Sequence, residues 1–416
     1  MKISNLKTVI LEQNNIILDQ NIVDREKLPT IFSQHNDSNI AIISGIRRCG
    51  KSTLLYQLKK KNKGYYLNFD DERLVSFSIE DFQKTDEIFH ELFGQTQVYY
   101  FDEIQNVKAW ERFVRRLHDF KKKIYITGSN AHLLSKELGT HLTGRYIAYE
   151  LFPFSFREYL LFKNINFNNN DLYITEGKAK LKQYFNSYFE IGGIPEYIKT
   201  ENKENIKFLY EGIIYRDVLV RYNIKNEKTM KELMLFIFSN IGKLISYNKI
   251  KNMLGLKNST TVKEYFAYLE NTYLVFLLSK YSFSIKNNIY SNKKIYVIDN
   301  SFAINLGFRF SDDIGRLLEN LVFIELKRQN KEIYYFQEKY ECDFIVKQGN
   351  EIEQAIQVCY ELTEKNKKRE YNGLIEAIKA AKLSKGLIIS YDQENVEIVD
   401  NYEIITKPVW KWLLEF

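Results

Sequence analysis

Proline, cysteine and long apolar runs are all scarce in this sequence. The four prolines, Pro29, Pro153, Pro195 and Pro408, leave domain boundaries to be read from changes of pattern. The three cysteines, Cys49, Cys342 and Cys359, have neither CxxC spacing nor a nearby histidine cluster. That excludes a disulfide framework and the usual zinc spacings, and makes a reducing cytoplasm the expected setting. The longest apolar runs, such as Tyr273 to Leu278, fall far short of the roughly 20 residues a membrane-spanning helix needs. The first twenty residues carry Asn, Gln and Glu where an export signal needs an unbroken apolar stretch. Neither a membrane span nor export is expected.

What is present is the balance of a globular chain, with 45% hydrophobic and 27% charged residues. At 416 residues it exceeds one ordinary core, since domains usually run about 100 to 200 residues. The net charge of +7 permits contact with phosphate polymers without demanding it. The 30 tyrosines are spread along the chain and read as compositional bias rather than as a stacking platform.

Patterns divide the chain into four. Over 1–166, short β-branched or aromatic runs (Ile40 to Ser44, Gly64 to Phe69, Val98 to Asp102, Ile124 to Thr127) alternate with helical patterns, which predicts a parallel sheet with helical crossovers. Over 167–225 the pattern is helical, with Tyr184, Tyr188 and Ile191 on one stripe and a break at Gly192-Gly193-Ile194-Pro195. The stretch 226–290 has the order of a winged helix-turn-helix. Ser246 is placed to cap a helix burying Ile250, Met253 and Leu254, Gly255 makes the turn, and Ser259 opens a helix burying Val262, Phe266 and Leu269. Residues 291–416 return to mixed α/β, with strands expected near Ile295 to Ile298, Ile333 to Phe336, Asp343 to Val346, Ala355 to Val358 and Gly386 to Ser390. Helices are expected near Asp312 to Arg328 and Lys365 to Ala381, so the fold class is α/β with two sheets.

The chemistry is concentrated in the first division. Gly45-Ile46-Arg47-Arg48-Cys49-Gly50-Lys51-Ser52 fits GxxxxGK[ST], followed by Thr53, and it lies between a buried strand and a helix as that motif requires. Glycines let backbone N–H groups turn around phosphates at a helix N-terminus, Lys51 would reach the β- and γ-phosphates, and Ser52 would complete a Mg²⁺ shell. Val98-Tyr-Tyr-Phe-Asp102-Glu103 is a Walker B pattern. Asp102 would hold Mg²⁺ through water, and Glu103 would orient and deprotonate the attacking water. Ile124-Tyr-Ile-Thr-Gly-Ser129-Asn130 reads as the next strand bringing a polar sensor to the γ-phosphate, with Ser129 and Asn130 both open. ATP and Mg²⁺ are the expected cofactors.

These residues, with Phe69-Asp-Asp, Phe101-Asp-Glu-Ile-Gln, Thr127-Gly-Ser-Asn, Leu142-Thr-Gly-Arg145, Leu151-Phe-Pro-Phe-Ser-Phe-Arg-Glu158, Gly192-Gly-Ile-Pro and Tyr215-Arg-Asp217, carry a resemblance covering nearly the whole chain. It resembles the bacterial and archaeal AAA-type ATPases that have a C-terminal restriction-endonuclease-like domain of unknown function. The resemblance implies that Arg145 is an arginine finger acting on a neighbouring subunit, with Arg115 and Arg116 as rivals, and hence a homo-oligomer. The helical pattern of 167–225 is expected to form a lid after the ATPase core, and the resemblance directs attention to Glu319, Asp343 and Gln357 as a degraded nuclease-like site. Such nucleases need E/Q-x-K on one strand, and here the lysine position is Cys359, which cannot supply a positive charge. A scaffold that does not cut is therefore expected, with Lys327 or Lys347 as conceivable replacements. Lys249, Lys251, Lys257 and Lys263 suit DNA phosphates, although such modules also bind proteins. The expected function is ATP hydrolysis coupled to C-terminal modules that contact DNA. The alternatives are a slow nucleotide switch binding a protein partner and an ATP-regulated metal nuclease.

Overall fold

The structure, a computed structural model, describes residues 1–15, 22–35, 37–129, 142–282, 284, 291–308 and 314–415. Contacts divide the chain into two compact units: Met1–Phe152 with Asn271–Tyr273, and Pro153–Glu270 with Leu274–Phe416. The sequence pattern was divided after 166, 225 and 290, whereas contact density separates at Phe152/Pro153.

In the first unit the elements are α1 (Ile3–Asn14), α2 (Lys27–Ser33), β1 (Ile40–Ser44), α3 (Lys51–Lys61), β2 (Tyr65–Asn68), α4 (Asp81–Phe93), β3 (Val98–Asp102), α5 (Trp110–Asp119), β4 (Lys123–Gly128) and β5 (Tyr146–Glu150). The strands form one sheet in the order β2-β3-β4-β1-β5 with every pairing parallel. β1, β3 and β4 are buried at every position, as expected of central strands covered on both faces by crossover helices. One core joins Leu6, Val9 and Ile10 of α1 to Phe82 of α4, Phe101 of β3 and Phe113 of α5. The rings of Phe82 and Phe113 stack at 4.4 Å between centroids.

The second unit begins with helices α6 (Phe156–Phe162), α7 (Thr175–Ile191), α8 (Pro195–Thr200) and α9 (Glu204–Gly212), followed by a π-helix, Ile213–Val220. The buried stripe of α7 is Leu181, Phe185, Tyr188 and Phe189. Tyr184 and Ile191 are only half-buried, so the expected stripe was rotated by one position. Gly192 ends α7 at φ 81°, where a Cβ would lie 2.0 Å from a carboxylate oxygen of Asp299, and Pro195 opens α8.

Next come α10 (Glu227–Phe238), β6 (Leu244–Ile245), α11 (Tyr247–Met253), α12 (Ser259–Asn271), β7 (Val275–Leu278) and β8 (Lys293–Val297). The strands make a three-stranded antiparallel sheet in the order β6-β8-β7. Three expectations are corrected here. The strand near Ile295 belongs to this small sheet rather than to the C-terminal one. Met253 is exposed, because only Ile250 of α11 faces the core. Ser246 stands at the N-cap, but its side chain makes no capping bond.

The remainder is α13 (Asn300–Leu306), α14 (Ile314–Arg328), β9 (Glu332–Gln337), β10 (Glu341–Gln348), β11 (Glu351–Cys359), α15 (Lys367–Ala381), β12 (Lys385–Ser390), β13 (Asn395–Val399), β14 (Tyr402–Pro408) and α16 (Val409–Trp412). Its mixed six-stranded sheet runs β13-β14-β12-β11-β10-β9, with β11, β12 and β14 parallel and the other pairings antiparallel. α15 packs on this sheet through Leu374 and Ile378 against Ile345 and Ile388. The contact is close enough that a Cβ on Gly373 would meet the Glu341 carbonyl oxygen at 2.0 Å. Gly373→Ala should therefore force α15 off β10 and lower the unfolding free energy of the second unit by about 1–3 kcal/mol in urea denaturation. A midpoint equal to wild type would contradict that packing.

Candidate nucleotide site

Parallel register brings the C-terminal ends of the strands to one edge: Ser44 pairs with Gly128 and Glu150, and Asn68 with Asp102. The loop leaving β1 has Arg48 at φ 62° and Gly50 at φ 98°, and Gly50 caps α3, whose first residue is Lys51. Gly45 has no room for a side chain, since a Cβ would lie 2.1 Å from the Leu151 carbonyl oxygen. Cys49 is buried, and burial pushes its thiol pKa up, so it is a neutral packing group. Lys51 Nζ is buried and donates to the carbonyl oxygens of Gly45 (3.1 Å) and Ile46 (3.0 Å), with Glu103 Oε1 at 3.8 Å.

Asp102 is fully buried at the end of β3. Burial raises its pKa, opposed by hydrogen bonds from Thr127 and Ser52. Thr127 Oγ1 donates to Asp102 Oδ1, and Tyr66 donates to Oδ2 at 3.1 Å. One carboxylate thus faces three hydroxyls, a donor set that suits an acid placed to hold a hydrated divalent cation. Glu103 follows at φ 51°, a left-handed conformation uncommon outside glycine. Its backbone N–H donates to Thr127 Oγ1 at 3.0 Å, and its carboxylate accepts from Ser129 Oγ at 3.2 Å and from Gln105. Ser129 therefore joins the group, whereas Asn130 lies outside the described residues.

Arg145 stands apart. It immediately precedes β5, its carbonyl oxygen accepts from Ile40 N at 2.8 Å, and its guanidinium lies 3.8 Å from Asp119. Ile40 begins β1, so Arg145 occupies the opposite edge of the sheet from Lys51, about 13 Å of strand away. Arg115, one of its rivals, lies 3.9 Å from Asp119 as well.

Residues 37–160 match the family described as an AAA domain, and 182–313 and 314–410 match two successive domains of unknown function. An uncharacterised protein of Methanocaldococcus jannaschii is 39% identical over 98% of this chain and 95% of its own length. An uncharacterised protein of Haemophilus influenzae is 31% identical over 95% of this chain and 99% of its own length. The chain belongs to this family of AAA-domain proteins. Among solved structures, the Thermotoga maritima RuvB Holliday junction branch migration motor is 16% identical with a TM-score of 0.30, covering 65% of this chain and 93% of its own. The Aeropyrum pernix Orc1 protein in complex with DNA is 12% identical with a TM-score of 0.32, covering 72% and 94%. Likenesses of that size say nothing about activity. Among the described residues, no helix is long and apolar enough to cross a membrane.

Within this AAA-domain protein a second polar cluster lies in the C-terminal unit, at a cavity of about 970 Å³. Glu319 of α14, Asp343 of β10 and Gln357 of β11 do come together, and Gln357 links Asp343 N (3.3 Å) to Glu370 Oε2 (2.7 Å). The sequence reading put Cys359 at the lysine position and named Lys327 and Lys347 as replacements, but the cation beside these acids is Lys294. Lys294 of β8, almost completely buried, donates to Glu319 (2.9 Å) and Asp343 (2.8 Å), and its ammonium also lies 2.7 Å from the Glu341 carboxylate. Tyr296, two residues on and so on the same strand face, donates to Glu319 at 2.6 Å. Burial disfavours the Lys294 charge, but Asp343 and Glu319 outweigh it and hold the ammonium well above its usual pKa. Glu319 is pushed up to about 7 by burial and by Asp343. Lys347 instead pairs with Glu332 at 3.5 Å. Among the described residues, no group of three or more His, Cys, Asp or Glu is arranged to hold a metal ion, so the acids as placed hold an ammonium.

Sequence reading missed Tyr66, Thr127, Lys294, Glu341 and Glu370. For Lys294 a signal existed: it stands two residues from Tyr296 in a short strand and so shares that residue's face.

Proposed function

We propose that the protein binds and hydrolyses ATP with Mg²⁺, and couples the nucleotide state to C-terminal modules that contact DNA. The observation that carries this reading is the convergence of Lys51, Asp102, Glu103 and Ser129 at one edge of the parallel sheet. Lys51 is the cation for the β- and γ-phosphates, and the loop from Gly45 through Ile46, Arg47, Arg48, Cys49 and Gly50 to Ser52 and Thr53 supplies the backbone cradle. Ser52 and Asp102 would hold Mg²⁺, which neutralises phosphate charge when bound. Glu103 accepts the proton of the attacking water, and Ser129, bonded to Glu103, senses the γ-phosphate.

Arg145 lies too far along the sheet to reach the phosphate loop of its own chain, so as an arginine finger it acts on the ATP of a second copy. DNA contact is supported by Lys249 of α11, Lys257 in the turn after it and Lys263 of α12, all exposed, with Lys251 half-buried on α11. Duplex DNA should then raise ATP turnover in a steady-state assay. Turnover that stays slow and indifferent to DNA would favour a nucleotide switch with a protein partner.

Lys51→Ala should abolish tight ATP binding, while Glu103→Gln should still bind ATP but hydrolyse it about 10²-fold more slowly or worse. Calorimetry and phosphate release read the two separately, and full turnover by Glu103→Gln would remove Glu103 as the base. Arg145→Ala should bind ATP normally and lose about 10³-fold in turnover. The wild-type rate per chain should also rise with protein concentration. A monomer with full activity would defeat the assignment.

A second reading, metal-dependent DNA cleavage at the C-terminal cavity, has one observation in its favour. Lys294 supplies the cation that Cys359 does not. Against it, the acids are already paired with that ammonium, and among the described residues they are not arranged around a metal. With Mg²⁺ or Mn²⁺, and with or without ATP, plasmid and linear DNA should therefore remain intact. Cleavage lost in both Asp343→Ala and Glu319→Ala, but kept in Glu103→Gln, would make the second reading the correct one.

A further inference from the structure

Besides its flanking strand and helix, the phosphate loop is held by two side chains from distant parts of the sequence. On its N-terminal flank, the hydroxyl of Ser44 shares a buried 2.7 Å hydrogen bond with the hydroxyl of Tyr273. On its C-terminal flank, the Cys49 carbonyl oxygen accepts from Arg25 Nη1 at 2.7 Å, and Arg25 Nη2 donates to the Phe152 carbonyl oxygen at 2.6 Å. Arg25 and Tyr273 are each only 3% exposed.

Their other ends lie where the chain leaves the first unit. Phe152 is its last residue before Pro153, and Asn271–Tyr273 is the short return that joins α12 to β7. Each flank of the loop is therefore hydrogen-bonded to one of the two stretches where the chain crosses between units.

Tyr273 has φ 63°, which for a bulky aromatic is an outlier that persists only when the surroundings over-determine it. The surroundings here are the Ser44 hydroxyl and Glu150, and burial pushes the phenol pKa far up, so its hydroxyl stays neutral. Gly45 is packed directly on the Leu151 carbonyl oxygen, one residue before Phe152. A phosphate that reorients the peptide groups from Gly45 to Gly50 must displace or tighten hydrogen bonds at both flanks, because buried donors and acceptors are costly to leave unpaired.

We propose that Tyr273 and Arg25 are positioning residues that pass the occupancy of the phosphate loop to the two crossings, Tyr273 to the α12–β7 junction and Arg25 to Phe152. The inference rests on the ATP-binding reading above.

Amide hydrogen exchange on the full chain, with and without ATP and Mg²⁺, tests it. In wild type, 45–53 should slow on ATP addition, and 150–153 and 271–275 should change with it. Tyr273→Phe removes one hydroxyl, should weaken ATP binding by about 2- to 10-fold, and is measured at saturating ATP. There the responses at 45–53 and 150–153 should persist, while the response at 271–275 is lost. Ser44→Ala, which removes the other partner of the same bond, should behave alike. The inference is overturned if 271–275 responds in Tyr273→Phe as in wild type. It is equally overturned if 271–275 never responds in wild type while 45–53 does, or if Tyr273→Phe abolishes the response at 45–53 itself. No response at 45–53 in wild type would instead sink the ATP-binding reading, and this inference with it.

Discussion

Everything at the nucleotide site depends on one constraint, the all-parallel register of the five-stranded sheet. Parallel pairing makes the strands end together, so the residues just beyond Ser44, Asp102 and Gly128 are neighbours although the chain visits them about 30 to 60 positions apart. In open α/β sheets this edge is where ligands bind, because loops and helix N-termini meet there with unsatisfied N–H groups. The same register places Arg145 at the other edge, since it precedes its strand rather than following it. One geometric rule thus separates Lys51, Asp102 and Glu103 from Arg145.

The C-terminal unit faces the opposite electrostatic problem. Among the carboxylates lining one cavity, the four of Glu319, Glu341, Asp343 and Glu370 are buried or half-buried, and leaving them unpaired would be costly. Lys294 compensates three of them and Arg369 the fourth. Removing one partner from such a buried group costs about 3–5 kcal/mol, because a stranded charge remains. The lysine therefore stabilises this region, and a Lys294 variant alone would not separate that contribution from any role in chemistry. Substitutions of the acids are the more discriminating probes.

The legible parts of the chain share a property: their signals are local. Ile40 to Ser44, the phosphate loop and the helix from Lys51 are contiguous, so strand, turn and helix patterns reinforce one another. The unforeseen parts were set by long-range contacts. Tyr273 meets Ser44 across 229 residues and Arg25 meets Phe152 across 127. Lys294 reaches Glu319 and Asp343 from a strand that pairs in a different sheet. The misassignment of that strand and the missed lysine are one error, since a strand read as part of the six-stranded sheet could not be seen to point its lysine at that sheet's acids. Met253 failed differently. Its spacing suits a buried stripe, but seven residues of α11 make fewer than two full turns, and only Ile250 reaches the core.

A fixed-spacing motif reports on chemistry only when the backbone supplies the missing geometry in the same place. For Gly45 to Ser52 it does: the motif is the turn itself, with the strand ending at Ser44 and the helix beginning at Lys51. For Glu319 of α14, Asp343 of β10 and Gln357 of β11 it does not, because the position of a lysine relative to them depends on which neighbouring element packs across the cavity. Cys359 at the lysine position was sound evidence about strand β11 and poor evidence about the site, since charge compensation in a buried cluster is a property of the volume rather than of the strand. The same argument applies to the nucleotide loop. Its motif covers Gly45 to Ser52, whereas Arg25 and Tyr273, which hydrogen-bond at its two flanks, belong to no motif.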